Sequence, residues 1–256
     1  MLNNPSKLSH LSDIHQAAMK LLASKYKEKF GEKLKSIYVY GSVARGTAKP
    51  TSDLDNVAIV DMPADILDSE DYKVWKKQIR QEIHESYPEL WDIDVHPIST
   101  VTAKKLDWVL MVKLDGVLFE GEDFYKDEQI PTDPKIFVQA LFKRYYDNVP
   151  KYWKKFKSDE IHEEKDVIFL SRYFAKVALR LGMALVLLQQ EDISFFTNGV
   201  EEQRDLIIRY LNEFTPLSRL AYDLRYTANK EESVFIDLAT QLERLMDRLE
   251  PYMDFA

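Results

Sequence analysis

Residues 36–60 read SIYVYGSVARGTAKPTSDLDNVAIV. Both ends of this stretch, 36–40 and 54–60, are short runs rich in β-branched and aromatic residues, and Gly, Thr and Pro lie between them, so the segment predicts strand, loop, strand. The first strand delivers Gly41 and Ser42 into a tight turn. After a spacer of ten residues, Asp53 and Asp55 stand two apart at the start of the second strand. Side chains two apart on a strand share a face. Two carboxylates held that close repel one another unless a cation joins them, and hard oxygen ligands suit Mg²⁺. Gly41 lets the backbone approach a phosphate, Ser42 offers a hydroxyl and an N–H, and Arg45 adds positive charge for a polyphosphate tail. Taken alone, the Gly-Ser pair or the acidic pair reads as a hairpin with surface acids. In order, at strand ends, and with a further acidic strand downstream, the two point to a nucleotide bound with its metal.

That further strand is WDIDVHPI, residues 91–98. Ile93 and Val95 fall on one face and Asp92, Asp94 and His96 on the other. Asp94, between the two apolar residues, is the expected third carboxylate. Asp92 lies nearer the strand mouth as a polar edge residue, and His96 before Pro97 reads as a strand end, because Mg²⁺ prefers oxygen ligands.

Working outward, residues 8–30 repeat apolar positions at helical spacing and Gly31 is placed to end that helix. Residues 69–86 read as an amphipathic helix, 100–112 as another, and 116–121 as a last short extended piece. Beyond Asp133 turn punctuation nearly vanishes, and helical patterns cover 133–157, 164–190, 199–213 and 217–248. Pro131 and Pro134 flank a linker and helix start. The expected plan is an α/β domain over 1–127 and a helical bundle over 128–256.

Composition fits this plan. The 256 residues include seven glycines and no cysteine, which excludes collagen, a disulfide scaffold and thiol chemistry. With 43 acidic against 35 basic residues the net charge is −8, which argues against a general binder of nucleic acid or anionic membrane. The first twelve residues lack a secretory pattern. The most apolar stretch, 177–188, contains Arg180 and is shorter than the roughly 20 residues a membrane span needs. A cytoplasmic protein without a membrane partner is expected.

Gly41-Ser42, a ten-residue spacer, Asp53-Leu54-Asp55 and then Ile93-Asp94-Val95 resemble the pattern of the polymerase-beta-type nucleotidyltransferase superfamily. In layout the chain is most similar to the superfamily's aminoglycoside (kanamycin-type) nucleotidyltransferases. The motif resemblance covers about residues 36–96, and the helical half is similar only in kind and length. It implies a mixed sheet with flanking helices, α+β in class, followed by an all-helical domain that binds substrate. It also implies AMP transfer from ATP to a hydroxyl of a small acceptor such as an aminoglycoside, hence a role in antibiotic resistance. Two Mg²⁺ ions would be held by Asp53, Asp55 and Asp94, and Asp94 would serve as metal ligand, proton acceptor or both. One departure stands out. Where the family's helical domain supplies a glutamate base, ALFKRYYDNVPKYWKKF offers Arg144 and Tyr145, with Asp147 the nearest acid.

In the helical half, Arg172, Lys176 and Arg180 fall four apart and form one cationic stripe on an otherwise apolar helix. Like charges at that spacing repel by a few tenths of a kcal/mol each, and the triphosphate or leaving pyrophosphate is the anion expected to offset this. The alternative is a solvated stripe or pairing with acids of a neighbouring helix. In KYWKKFK, 151–157, the aromatics are expected to pack while the lysines snorkel. The acidic runs 120–123 and 159–164 read as solvated loops able to attract a cationic acceptor. Expected partners are therefore a nucleoside triphosphate and a small, cationic acceptor, with a homodimer admitted. The competing readings are a transferase acting on tRNA or protein, of toxin–antitoxin type, and a non-catalytic antitoxin-like interaction protein.

Overall fold

The computed structural model describes residues 6–50, 52–158 and 163–253. The chain divides between Ile130 and Pro131 into two compact units.

The N-terminal unit opens with α1 (Asp13–Phe30), stopped by Gly31 at φ 53°. There follow β1 (Leu34–Val39), a short α2 (Gly41–Arg45), β2 (Asp53–Leu54), β3 (Asn56–Val60), α3 (Ala64–Leu67) and α4 (Glu70–Ser86). The unit ends with β4 (Asp92–Ile93), β5 (Pro97–Ser99), α5 (Thr100–Ala103), α6 (Leu106–Asp115) and β6 (Val117–Gly121). The main sheet has the order β5-β3-β1-β6 and is mixed: β1 runs antiparallel to both β3 and β6, while β3 and β5 are parallel. Apolar layers cover both faces, which is why NVAIV is an unbroken apolar run after its Asn. Ala58 and Val60 pack with Tyr26, Phe30 and Ile83 from α1 and α4, whereas Val57 and Ile59 pack with Val109 and Val112 from α6.

Five readings of the sequence change here. The turn at Gly41 continues as one and a half turns of helix. The strand expected over 54–60 is two pieces, β2 and β3, and the one expected over 91–97 is likewise two, β4 and β5. The helix expected over 100–112 is interrupted at Lys105, whose backbone is extended. The acids of 120–123 are engaged rather than merely solvated: Glu120 pairs with Lys27, and Asp123 Oδ1 accepts from the Tyr38 hydroxyl at 2.8 Å.

The second unit is helical: α7 (Pro134–Lys157), α8 (Glu164–Gln190), α9 (Val200–Tyr210), α10 (Thr215–Tyr226) and α11 (Glu232–Met253). Asp133 caps α7 by accepting from the N–H groups of Lys135 and Ile136, and Pro134 occupies the first turn. α8 runs through the middle, touching the other four helices and burying an almost continuous apolar segment from Val177 to Leu188. The helix expected over 217–248 is two helices, because the chain leaves helical geometry at Thr227. Asn229 fixes the connection by donating to Ser171 Oγ and to the Glu231 carbonyl. Trp153 stacks on Phe156, with the Lys157 ammonium over the indole at 4.5 Å, as snorkelling lysines require. Of the acidic run 159–164, residues 159–162 lie outside the described residues. No helix among the described residues is long and apolar enough to cross a membrane.

Candidate active site

β2 and β4 pair in parallel, Asp53 opposite Asp92 and Leu54 opposite Ile93. β3 and β5 resume the same parallel pairing, Ala58 opposite Pro97, with the offset of 39 residues unchanged. The two broken strands are thus one interrupted ladder in a single register. Across the interruption Asp55 stands opposite Asp94, and the Asp94 N–H donates to the Leu54 carbonyl at 3.3 Å.

Gly41 explains how Asp55 is placed. Its φ is +77°, a left-handed conformation, and a Cβ built on it would lie 2.1 Å from Asp55 Oδ2. The carboxylate therefore rests directly against the glycine that opens α2, as close an approach as only a residue without a side chain permits. The Tyr40 N–H, at the start of the same turn, donates to the Asp55 carbonyl at 3.1 Å.

Asp94 is placed from beneath. The fully buried Asn56 donates to the Asp94 carbonyl at 2.5 Å and accepts at 3.1 Å from the hydroxyl of Tyr26, which itself accepts from the His96 N–H at 2.8 Å. Burial first, and then the Asp94 charge, push the Tyr26 phenol far above its ordinary value, so it stays protonated and keeps donating. The sequence reading counted Tyr26 only among the apolar positions of the first helix and gave Asn56 no role at the site. Asn56 carried a signal, being the one polar side chain in an apolar strand run and directly following Asp-Leu-Asp. Tyr26 carried none that separates it from the rest of the α1 core.

Asp92, read from the sequence as an edge residue, is occupied. Its Oδ1 accepts from Arg80 Nε and the Ile93 N–H, both at 2.8 Å, and meets His84 Nε2 at 3.3 Å, while a second guanidinium nitrogen reaches Oδ2. Burial would raise this carboxyl, but Arg80, the Ile93 N–H and His84 outweigh it and hold the group below the usual carboxylate range. Arg80 and His84, at i and i+4 on α4, were legible only as members of an amphipathic helix.

Arg45, expected beside phosphates, pairs with Asp115 in a largely buried salt bridge. Ser42, partly exposed, follows Gly41 in α2, and its carbonyl accepts from the Thr47 N–H at 2.9 Å. Among the described residues no three His, Cys, Asp or Glu side chains are gathered closely enough to hold an ion as they stand.

Two members of the expected cationic stripe, Lys176 and Arg180, act on a tyrosine of α7, Tyr145. Lys176 Nζ lies 6.0 Å and the Arg144 guanidinium 4.9 Å from the centre of the Tyr145 ring, and Arg144 also donates to its hydroxyl at 3.1 Å. Burial raises this phenol, yet Lys176, Arg180 and Arg144 together pull it down to about 8. Arg180 also donates to Asn198. Arg225 donates to the Arg172 carbonyl at 3.3 Å, and burial, followed by the charges of Arg180 and Arg172, lowers its own pKa. The Arg172 Nε is buried without a hydrogen-bond acceptor. Such a concentration of like charge favours an anion.

Comparison with known proteins bears on the same residues. Residues 19–114, which include Gly41, Ser42, Asp53, Asp55, Asp92 and Asp94, match the family model described as nucleotidyltransferase domain. A solved structure of spectinomycin adenyltransferase AAD(9) from Enterococcus faecialis, determined with ATP and spectinomycin, is similar to the chain with a TM-score of 0.55 and 14% sequence identity. The alignment covers 91% of this chain and 98% of that one, and at this identity the likeness is one of fold. No curated protein sequence matches.

Proposed function

From a chain whose residues 19–114 form a nucleotidyltransferase domain, we propose an enzyme that moves AMP from ATP to a hydroxyl of a small, aminoglycoside-type acceptor. The observation that carries this reading is the placement of Asp55 against Gly41 and opposite Asp94 in one ladder register. It brings a phosphate-approachable backbone and a pair of hard carboxylates to the same point. ATP as donor and a small acceptor draw support from the ATP- and spectinomycin-bound structure of similar fold.

The donor set of Asp53, Asp55 and Asp94 is all carboxylate oxygen and fits Mg²⁺ rather than a softer ion. When bound there, the ion would neutralise charge on the triphosphate and make an acceptor hydroxyl more acidic. The chain's own residues do the positioning. Ser42 would hold phosphate oxygens through its hydroxyl and N–H, next to a glycine that leaves room for them. Asp94, fixed through its carbonyl by Asn56, would orient the acceptor hydroxyl and take its proton as that oxygen attacks the α-phosphorus and pyrophosphate leaves. In the helical unit we assign Arg172, Lys176 and Arg180 to phosphate binding, on the strength of the cationic surroundings of Tyr145. That assignment casts residues 1–127 as the catalytic part and 128–256 as the substrate-binding part.

The test is transfer of label from α-labelled ATP, with Mg²⁺, to a panel of aminoglycosides, tRNA and proteins. Label on an aminoglycoside, abolished by chelator, is the expected result. Label on tRNA or protein with the drugs untouched would overturn the acceptor but keep the chemistry, and silence with every acceptor would favour an interaction protein.

A further inference from the structure

We propose that Arg80 is a resident counter-cation of this site, a positioning residue that Asp92 and His84 hold beside the acid positions and that sets how tightly they take a divalent ion. The inference rests on the reading of Asp53, Asp55 and Asp94 as a cation site. Its basis is geometric. Asp92 is the ladder partner of Asp53 and lies two residues before Asp94. A guanidinium clamped on Asp92 through both carboxylate oxygens is therefore fixed at the edge of the strand pair that carries the acids. The clamp is over-determined, since His84 and the Ile93 N–H hold Asp92 from other directions. After Asp92, the charges of Asp94 and Asp53 also reach Arg80 and help keep it protonated. The Arg80 side chain is 48% exposed, too much for the pair to add much to stability, yet its place is specified by two contacts to an Asp92 that two further groups hold.

The electrostatic consequence has a definite sign. Arg80 and Asp92 together are neutral. Removing the guanidinium leaves Asp92 as an extra negative charge at the site, which draws a divalent cation. Removing the Asp92 charge leaves Arg80 as an uncompensated positive charge near Asp53 and Asp94, which repels one.

Mn²⁺ binding to the full-length protein, followed by electron paramagnetic resonance, reads this directly. Arg80→Gln is expected to bind Mn²⁺ about fivefold more tightly and Asp92→Asn about fivefold more weakly, with the double variant near wild type, for one unit charge partly screened by solvent. A purely structural role for the pair predicts weaker binding in both single variants and would overturn the proposal, as would unchanged affinity in Arg80→Gln. Wild-type protein that takes up no Mn²⁺ would contradict the cation site itself, and this inference with it. Uptake by wild type combined with the wrong order among the variants would remove the role of Arg80 alone.

Discussion

Gly41→Ala is expected to lower nucleotidyl transfer by about a hundredfold or more while the protein remains folded. Two separate effects combine. An L-residue at φ +77° is strained by about 1–2 kcal/mol, which stability can absorb. The added methyl would also stand 2.1 Å from Asp55 Oδ2, so the carboxylate has to move by more than an ångström. Displacement on that scale is what costs positional catalysis about two orders of magnitude. The measurement is the rate of α-label transfer together with a thermal melt. A variant whose melting point falls slightly and whose rate collapses supports the placement, whereas unchanged transfer would show that the contact between Asp55 and Gly41 has no bearing on the reaction.

Asp55→Asn and Asp94→Asn are each expected to reduce transfer about a thousandfold with little change in stability, the size of effect seen when a group stabilising transition-state charge is removed. Asparagine keeps the shape, and the Asn56 hydrogen bond to the Asp94 carbonyl is open to either side chain. The two should differ in pH dependence. If Asp94 takes the acceptor's proton, the residual rate of Asp94→Asn should rise with pH, as hydroxide replaces the missing base, more steeply than that of Asp55→Asn. Asp92→Asn, opposite Asp53 and two residues before Asp94, should retain most of the turnover. A loss in Asp92→Asn equal to that in Asp94→Asn would mean that the third carboxylate has been chosen wrongly.

How much of this was legible in the sequence follows from which signals are local. The α/β-then-helical plan could be read because period and punctuation change sharply near Pro131, and Gly41-Ser42 with Asp53-Leu54-Asp55 could be read because a short strand–turn–strand keeps its chemistry within 20 residues or so. The breaks at Asp55 and Asp94 were hidden, since the sequence on either side of each reads as one continuous strand. Arg45 beside the turn at Gly41 has a partner that spacing hides, Asp115, 70 residues on. The Arg80–Asp92–His84 clamp and the Tyr26–Asn56 support depend on helices laid over the strands, a relation that no spacing along the chain encodes. The stripe of Arg172, Lys176 and Arg180 was legible as a helical face. That Lys176 and Arg180 act on Tyr145 was not, because this depends on how α7 packs on α8.

The central claim is that the bend at Gly41 and Ser42 and the carboxylates of Asp53, Asp55 and Asp94 together receive a metal-bound nucleotide. Anomalous scattering from Mn²⁺ in crystals grown with a non-hydrolysable ATP analogue tests it most directly. The account predicts a metal peak bounded by those three carboxylates, with the analogue's phosphates against Gly41 and Ser42. A well-ordered analogue bound elsewhere, or bound at the bend with no metal among the three acids, would contradict it.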